Sequence, residues 1–222
     1  VKVDEEYENA RFLVKNFINA SSNKEIIFTS GATDSLNKIV FGYFKQYLNE
    51  SDEVLLTKSE HASNVLPWFE LAEQNGIHVG YIPLNEDLTF TIDDVKKSVT
   101  SKTKVISIAH ITNVVGDIRN IKEIIDFAHS KNILVVIDGA QSVPHIKIDV
   151  QSLNVDFLAF SAHKMCGPTG VGVLYGREEL LNNMKPIEFG GGMNAMFTYD
   201  GIRQYSNLPY LFEAGTPNIA DV

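Results

Sequence analysis

The chain has 222 residues, of which 44% are hydrophobic and 21% are charged, values typical of a soluble globular protein with a full core. Its formal net charge of −9 argues against a nucleic-acid-binding surface and provides no basic patch for an anionic membrane. A single cysteine excludes an internal disulfide and favours a reducing compartment such as the cytoplasm, and no apolar run approaches the ~20 residues of a membrane-spanning helix.

Hydrophobic patterning predicts helices and strands that alternate along the chain. The chain begins with an amphipathic helix whose apolar face carries Val3, Tyr7, Ala10, Val14 and Phe17. Strands are predicted at 26–29, 53–57, 78–83, 104–110, 133–138, 155–160 and 171–175. The helices between them are predicted at 32–48, 64–75, 93–99 and 121–130.

This alternation indicates an α/β fold with a mostly parallel, seven-stranded sheet and helices on both faces. One strand is expected to be an exception. Only eight residues separate Ser161 from Gly170, too few for a parallel crossover, so strand 171–175 should run antiparallel to its predecessor. From Gly190 onward the chain is rich in Gly, Asn and Pro and is predicted to be extended loop.

Polar residues follow several of these strands, at the carboxyl ends where open α/β sheets bind ligands. The segment with Ala32 and Thr33 opens a long helix and could bind a phosphate, although an ordinary capped helix start explains it equally well. His61 could stack on an aromatic cofactor, but a lone histidine at a helix entrance is more often structural. Asn113 could bind a ring hydroxyl or simply form a turn.

Two charged residues favour a specific ligand. Lys164 lies where the apolar strand 155–160 meets a Gly/Pro turn. Burial there would favour the neutral amine, which reacts with aldehydes, whereas a surface lysine on a turn is the simpler alternative. Asp138 ends another apolar strand and could keep a pyridine nitrogen protonated, or cap a helix. With Ser161 as a phosphate donor, the set predicts a pyridoxal phosphate site; no metal ligands are assigned.

Five spaced motifs carry a more specific resemblance. They occupy residues 29–37, 60–68, 136–141, 160–170 and 212–218. Together they resemble the class V aminotransferase family of fold-type I pyridoxal phosphate enzymes, in particular its group II cysteine desulfurase and selenocysteine lyase branch. The resemblance covers nearly the whole chain, and it is more specific for fold and cofactor than for substrate.

The resemblance implies catalytic roles for three residues. Lys164 looks like the lysine that forms an imine with the cofactor and then moves the substrate Cα proton, Asp138 would pair with the pyridine nitrogen, and His61 would stack on the ring. The implied cofactor-binding residues are Ala32, Thr33, His61, Asn113, Asp138, Gln141, Ser161, His163, Lys164 and Thr216. Ala32, Thr33, Ser161 and His163 would hold the phosphate. Thr216 would reach the phosphate of a partner subunit across a dimer interface.

The implied activity is the conversion of L-cysteine to L-alanine by a homodimer, with sulfur passed to an enzyme persulfide for iron–sulfur cluster assembly or another sulfur acceptor protein. Selenocysteine lyase, isopenicillin N epimerase-like and transaminase activities are the enzymatic alternatives, and a non-catalytic scaffold is another. In this family the nucleophilic cysteine and the carboxylate-binding arginine belong to a small C-terminal domain. We therefore expect residues 1–222 to be the large cofactor-binding domain, incomplete at both ends and without turnover, and assign Cys166 no role.

Overall fold

A computed structural model describes residues 2–222 and contains a seven-stranded sheet with the order β1-β7-β6-β5-β4-β2-β3. The strands are β1 (Ile26–Thr29), β2 (Glu53–Leu56), β3 (His78–Tyr81), β4 (Thr103–Ala109), β5 (Leu134–Asp138), β6 (Phe157–Ser161) and β7 (Gly172–Gly176). Strand β7 pairs antiparallel with β1 and β6, and the other neighbours pair in parallel. The predicted fold class, including the antiparallel strand, is confirmed.

Helices cover both faces of this sheet. They are α1 (Lys2–Phe17), α2 (Ala32–Ile39), α3 (Lys45–Tyr47), α4 (Leu66–Asn75), α5 (Ile92–Ser98), α6 (Ile121–Ser130), α7 (Ser142–His145), α8 (Val150–Leu153) and α9 (Glu178–Leu181). A π-helical segment, Val40–Phe44, joins α2 to α3 and makes the predicted helix 32–48 nearly continuous. Within residues 2–222, no helix combines the length and apolarity needed to cross a membrane.

The hydrophobic core has two layers because alternate side chains of each strand point to opposite faces of the sheet. In β5, Val135 and Ile137 join the layer covered by α1, α5 and α6, whereas Val136 joins the layer covered by α2, α4 and α9. Strands buried on both faces read as continuous apolar runs, which is why they could be recognised in the sequence.

The predicted apolar face of α1 is only partly correct. Tyr7, Ala10 and Val14 pack against the core, but Val3 and Phe17 are more than half exposed. The fully buried residue of this helix is Arg11, which apolar periodicity would never select. Its guanidinium is buried because it pairs with the buried carboxylate of Glu213, 202 residues away in the sequence.

The segment after Gly190 was predicted to be loop, and this was wrong in part. It forms an antiparallel hairpin of β8 (Asn194–Phe197) and β9 (Arg203–Tyr205). Most side chains of the hairpin are exposed, so its strands lack the alternation of buried and exposed residues that marks a strand in sequence. The four-residue helices α7, α8 and α9 were also missed, because they are too short to show helical periodicity.

Candidate active site

A cavity of about 190 Å³ opens at the carboxyl ends of β4, β5 and β6, beside the start of α2. Nine of the ten residues assigned to the cofactor from the resemblance line it: Ala32, Thr33, His61, Asn113, Asp138, Gln141, Ser161, His163 and Lys164. Parallel strands end at the same edge of a sheet, so the fold brings together residues that are far apart in sequence.

Lys164 occupies a 3₁₀ turn, Ala162–Lys164, directly after β6. The backbone N–H groups of Met165 and Gly167 both donate to the carbonyl of Ala162, at 2.9 Å each, and this closes the turn below the lysine. Within the described part of the chain, the Lys164 amine makes no hydrogen bond or ion pair, and its side chain lines the cavity. The amine is therefore available to react with a bound aldehyde.

Asp138 is the last residue of β5 and is only 5% exposed. One carboxylate oxygen, Oδ1, accepts a hydrogen bond from the Ala140 N–H at 3.0 Å, and the other has no hydrogen-bond donor among residues 2–222. Burial raises the pKa of Asp138, an effect opposed in part by the Ala140 N–H and by the charges of Lys164 and His61. The open oxygen of this buried carboxylate can accept a hydrogen bond from a cationic ring nitrogen, whose charge would lower the pKa that burial raises.

The ring of His61 is held by its own loop. Its Nδ1 lies 3.1 Å from the backbone nitrogen of Ser63 and 3.0 Å from the Ser63 hydroxyl. A backbone N–H can only donate, so Nδ1 is the acceptor and the proton of the neutral imidazole is on Nε2. This anchor fixes the orientation of a ring that lines the cavity.

The start of α2 offers fewer free groups than the sequence suggested. The backbone N–H of Ala32 already donates to the Ser161 hydroxyl oxygen at 2.7 Å, which leaves the Ser161 proton available for another acceptor. The backbone N–H of Thr33 has no acceptor among the described residues, as is usual in a first helical turn. The Thr33 hydroxyl lies 2.7 Å from that of Ser63. Donors for a phosphate are therefore present, with Ser161 bound to Ala32.

Thr216 lies apart from the other nine residues. It lines a second cavity of about 300 Å³, together with Ser30, Asp34 and Lys38. Lys38 is 5% exposed and forms ion pairs with Asp34 at 2.9 Å and Glu188 at 2.6 Å. The assignment of Thr216 concerned a partner subunit, so it stays a prediction.

Sequence reasoning missed a buried ion pair beneath the His61 loop. Glu60 and Arg119 approach to 2.5 Å, and their side chains are 0% and 2% exposed. No sequence pattern links residues 59 positions apart. The only available signal was that Glu60 precedes His61 just beyond a buried strand, where a carboxylate needs a counter-charge.

The sequence and the fold of this chain are both similar to those of known proteins. The pattern of the Aminotransferase class-V family matches residues 1–222. A probable cysteine desulfurase of Halalkalibacterium halodurans is 48% identical over 215 residues, which are 96% of this chain and 52% of that protein. The cysteine desulfurase CsdA of Escherichia coli has a TM-score of 0.95 at 38% identity, over 99% of this chain and 55% of that one. The apo cysteine desulfurase of Thermococcus onnurineus NA1 has a TM-score of 0.94 at 35% identity, over 99% and 54%.

The chain thus spans about half the length of the relatives it matches. The family pattern covers all of it, which confirms the family expected from the five motifs. The chain belongs to the Aminotransferase class-V family.

Proposed function

We propose that this chain forms the pyridoxal 5′-phosphate-binding part of an enzyme that converts L-cysteine to L-alanine. The observation that carries the proposal is the position of Lys164 and Asp138 in the wall of one cavity. Among the residues that the structure describes, the Lys164 amine has no partner, and one oxygen of the buried Asp138 carboxylate has no hydrogen-bond donor. These are the two groups needed to bind an aldehyde and to hold a pyridine nitrogen in its cationic form.

The rest of the cavity fits the same cofactor. The Ser161 hydroxyl proton, the Thr33 amide and hydroxyl, and His163 are suited to a phosphate at the start of α2. The ring of His61 is anchored for a flat contact, and Gln141 and Asn113 place amide groups in the same wall. When bound, pyridoxal phosphate supplies an electron sink that stabilises negative charge at the substrate Cα.

Each residue then has a defined task. Lys164 takes the proton from the substrate Cα and holds it on its amine for later return. Asp138 keeps its negative charge opposite the ring nitrogen, where a cation would offset the effect of burial on its pKa. His61, anchored through Nδ1, would lie against the ring of the cofactor and limit the access of water to it.

We further propose that the sulfur of L-cysteine passes to a cysteine thiolate of the enzyme. The C–S bond of the substrate breaks, the thiolate forms a persulfide, and the carbon skeleton takes up a proton and leaves as L-alanine. The relatives named cysteine desulfurase support this choice of substrate. A homodimer, a sulfur-acceptor protein, a role in iron–sulfur cluster assembly and a cytoplasmic location belong to the same proposal.

The only cysteine of these 222 residues, Cys166, is not suited to be that nucleophile. It is exposed in the turn after Lys164 and does not line the cavity. We therefore propose that residues 1–222 bind the cofactor but do not turn over cysteine. Replacing Cys166 with serine should leave cofactor binding unchanged, and alanine production from free cysteine by the 222-residue chain would contradict this part of the proposal.

The test is the visible absorption of the protein after incubation with pyridoxal phosphate. Wild type and the control Lys147→Ala, which removes an exposed lysine, should be yellow and should gain the mass of the cofactor at Lys164 after borohydride reduction. Lys164→Ala should lose the visible band and the adduct. A Lys164→Ala protein that stays equally yellow and is labelled as fully as wild type would refute the proposal.

A further inference from the structure

The last three residues of β4, 107–109, have no paired strand on the side of β2. The pairing of β2 with β4 ends at Leu55 and Ile106, and β4 continues to Ala109 at the cavity. Backbone groups there must find other partners, because an unpaired buried N–H or C=O costs free energy. Ala109 finds both partners in side chains. Its N–H donates to Glu60 Oε2 at 2.7 Å, and its carbonyl accepts from Arg119 Nη1 at 3.1 Å.

The side chain of Glu60 is shielded from solvent, and both oxygens of its carboxylate accept hydrogen bonds from the protein. Its Oε1 accepts from Arg119 Nη1 at 2.5 Å and from the Thr57 hydroxyl at 2.6 Å. Its Oε2 accepts from Asn64 Nδ2 at 3.1 Å, in addition to the Ala109 N–H. A fully buried carboxylate is stable only with such a set of donors and a counter-charge.

Arg119 extends the same network to the loop that carries His61. Its Nη2 donates to Thr57 Oγ1 at 3.0 Å and to Ser59 Oγ at 2.8 Å. The guanidinium also lies 5.0 Å from the centre of the Phe90 ring. Arg119 follows the turn that carries Asn113, so the network joins two loops that each supply a residue to the cavity wall.

The pair also influences the charge balance of the cavity. Burial is the main reason that the pKa of Asp138 is raised, and the negative charge of Glu60 raises it further. Lys164 and His61 act in the opposite direction. Arg119 is in contact with Glu60 and carries the opposite charge, so it partly offsets the effect of the Glu60 charge on its surroundings.

We propose that Glu60 and Arg119 are positioning residues, which fix the His61 loop against the end of β4 and so set how His61 and Asp138 contact a cofactor ring. The inference deepens the proposed function and rests on it. Neither residue lines the cavity itself. The pair therefore acts through the position of His61, through the backbone of Ala109 and through the electrostatic potential at Asp138.

The experiment compares holoenzymes loaded with pyridoxal phosphate. The variants are Arg119→Met, Arg119→Lys and Ser59→Ala, the last of which removes one Arg119 contact and leaves the ion pair intact. The control is Arg177→Met, which breaks the ion pair with the buried Asp156 at the opposite end of the sheet. The readouts are cofactor affinity, the visible circular dichroism of the bound cofactor and the pH midpoint of its absorption band, beside urea unfolding.

We expect Arg119→Met to weaken cofactor binding by ~10- to 100-fold, the range found when outer partners of metal ligands are removed. Its visible circular dichroism should shrink and its absorption midpoint should shift. Arg119→Lys should recover the midpoint, because it restores the charge, without full recovery of the dichroism. The control should lose stability while its cofactor spectrum stays as in wild type.

Wild-type affinity, dichroism and pH midpoint in folded Arg119→Met would overturn the inference. If Arg119→Met does not fold, Arg119→Lys and Ser59→Ala decide: a smaller dichroism in both supports the inference, and wild-type spectra in both overturn it. Failure of wild type to bind the cofactor through Lys164 would instead refute the proposed function, so the two failures are distinguishable.

Discussion

Replacing Arg11 with methionine should destabilise the fold by about 3–5 kcal/mol, the range expected when one partner of a buried ion pair is removed. Arg11 is fully buried, and its guanidinium donates to Glu213 at 2.7 and 3.0 Å and to the carbonyl of Ile26 at 2.7 Å. Methionine keeps much of the apolar stem but makes none of these bonds. Among residues 2–222, the side chain of Glu213, which is 9% exposed, would be left with two donors, the Phe28 N–H at 2.8 Å and the Tyr7 hydroxyl at 3.4 Å.

Urea unfolding followed by far-ultraviolet circular dichroism measures this loss, and for a chain of this length the midpoint of thermal unfolding should fall by roughly 6–20 °C. Lys24→Met is the matched control. It breaks an ion pair of 3.0 Å with Glu178 in which both side chains are solvent-exposed, so its cost should be about 0–1 kcal/mol. The double variant Arg11→Met/Glu213→Gln should be more stable than Arg11→Met alone, because the uncompensated charge is gone. If Arg11→Met costs no more than Lys24→Met, the reasoning is refuted.

Three further predictions concern single positions. Gly172→Ala should lower the free energy of unfolding in urea by about 1–3 kcal/mol, because its new Cβ would lie 2.4 Å from the Gly31 Cα. The control Gly191→Ala has open space around its Cβ and should be neutral, and equal effects of the two substitutions would contradict this. Cys166 has a φ of 64°, so Cys166→Gly should leave stability unchanged or raise it by up to about 1 kcal/mol in the same assay, and a clear loss would argue against strain. Burial lowers the pKa of His110 from 6.5 to about 4, so stability should fall by up to about 3 kcal/mol as pH drops between these values. His110→Phe should flatten that part of the pH profile of unfolding, and parallel profiles for the two proteins would count against it.

Local sequence signals were sufficient to predict the strands that are covered by helices on both faces. Each central strand is a short apolar run bounded by turn residues, and the alternation with helices determines a parallel arrangement. The short connection after Ser161 even indicated which strand runs antiparallel. Lys164 and Asp138 were singled out as candidates in the same way, because the pattern itself defines the end of a buried strand and the turn that follows it.

The misses in α1 and around the cavity share one physical origin, which is contact between distant residues. Arg11 is buried through a partner 202 positions away, and Glu60 through one 59 positions away, so neither pairing leaves a local trace. The amide of Ala32 was expected to be free for a phosphate but is bound to Ser161, 129 residues later. Sequence patterns report which groups lie at a strand end, whereas hydrogen-bond partners depend on how the ends assemble.

The pairing of β1 has a consequence for synthesis on the ribosome. In the described sheet this strand lies at one edge and pairs with β7, so Ile26 cannot form its ladder until Tyr175 has been synthesised. About 150 residues separate the two strands, which corresponds to roughly 8–30 s at ~5–20 residues per second. During that interval β1 has no strand to pair with, and an unpaired apolar strand is a site at which other nascent chains can associate until β7 has been made.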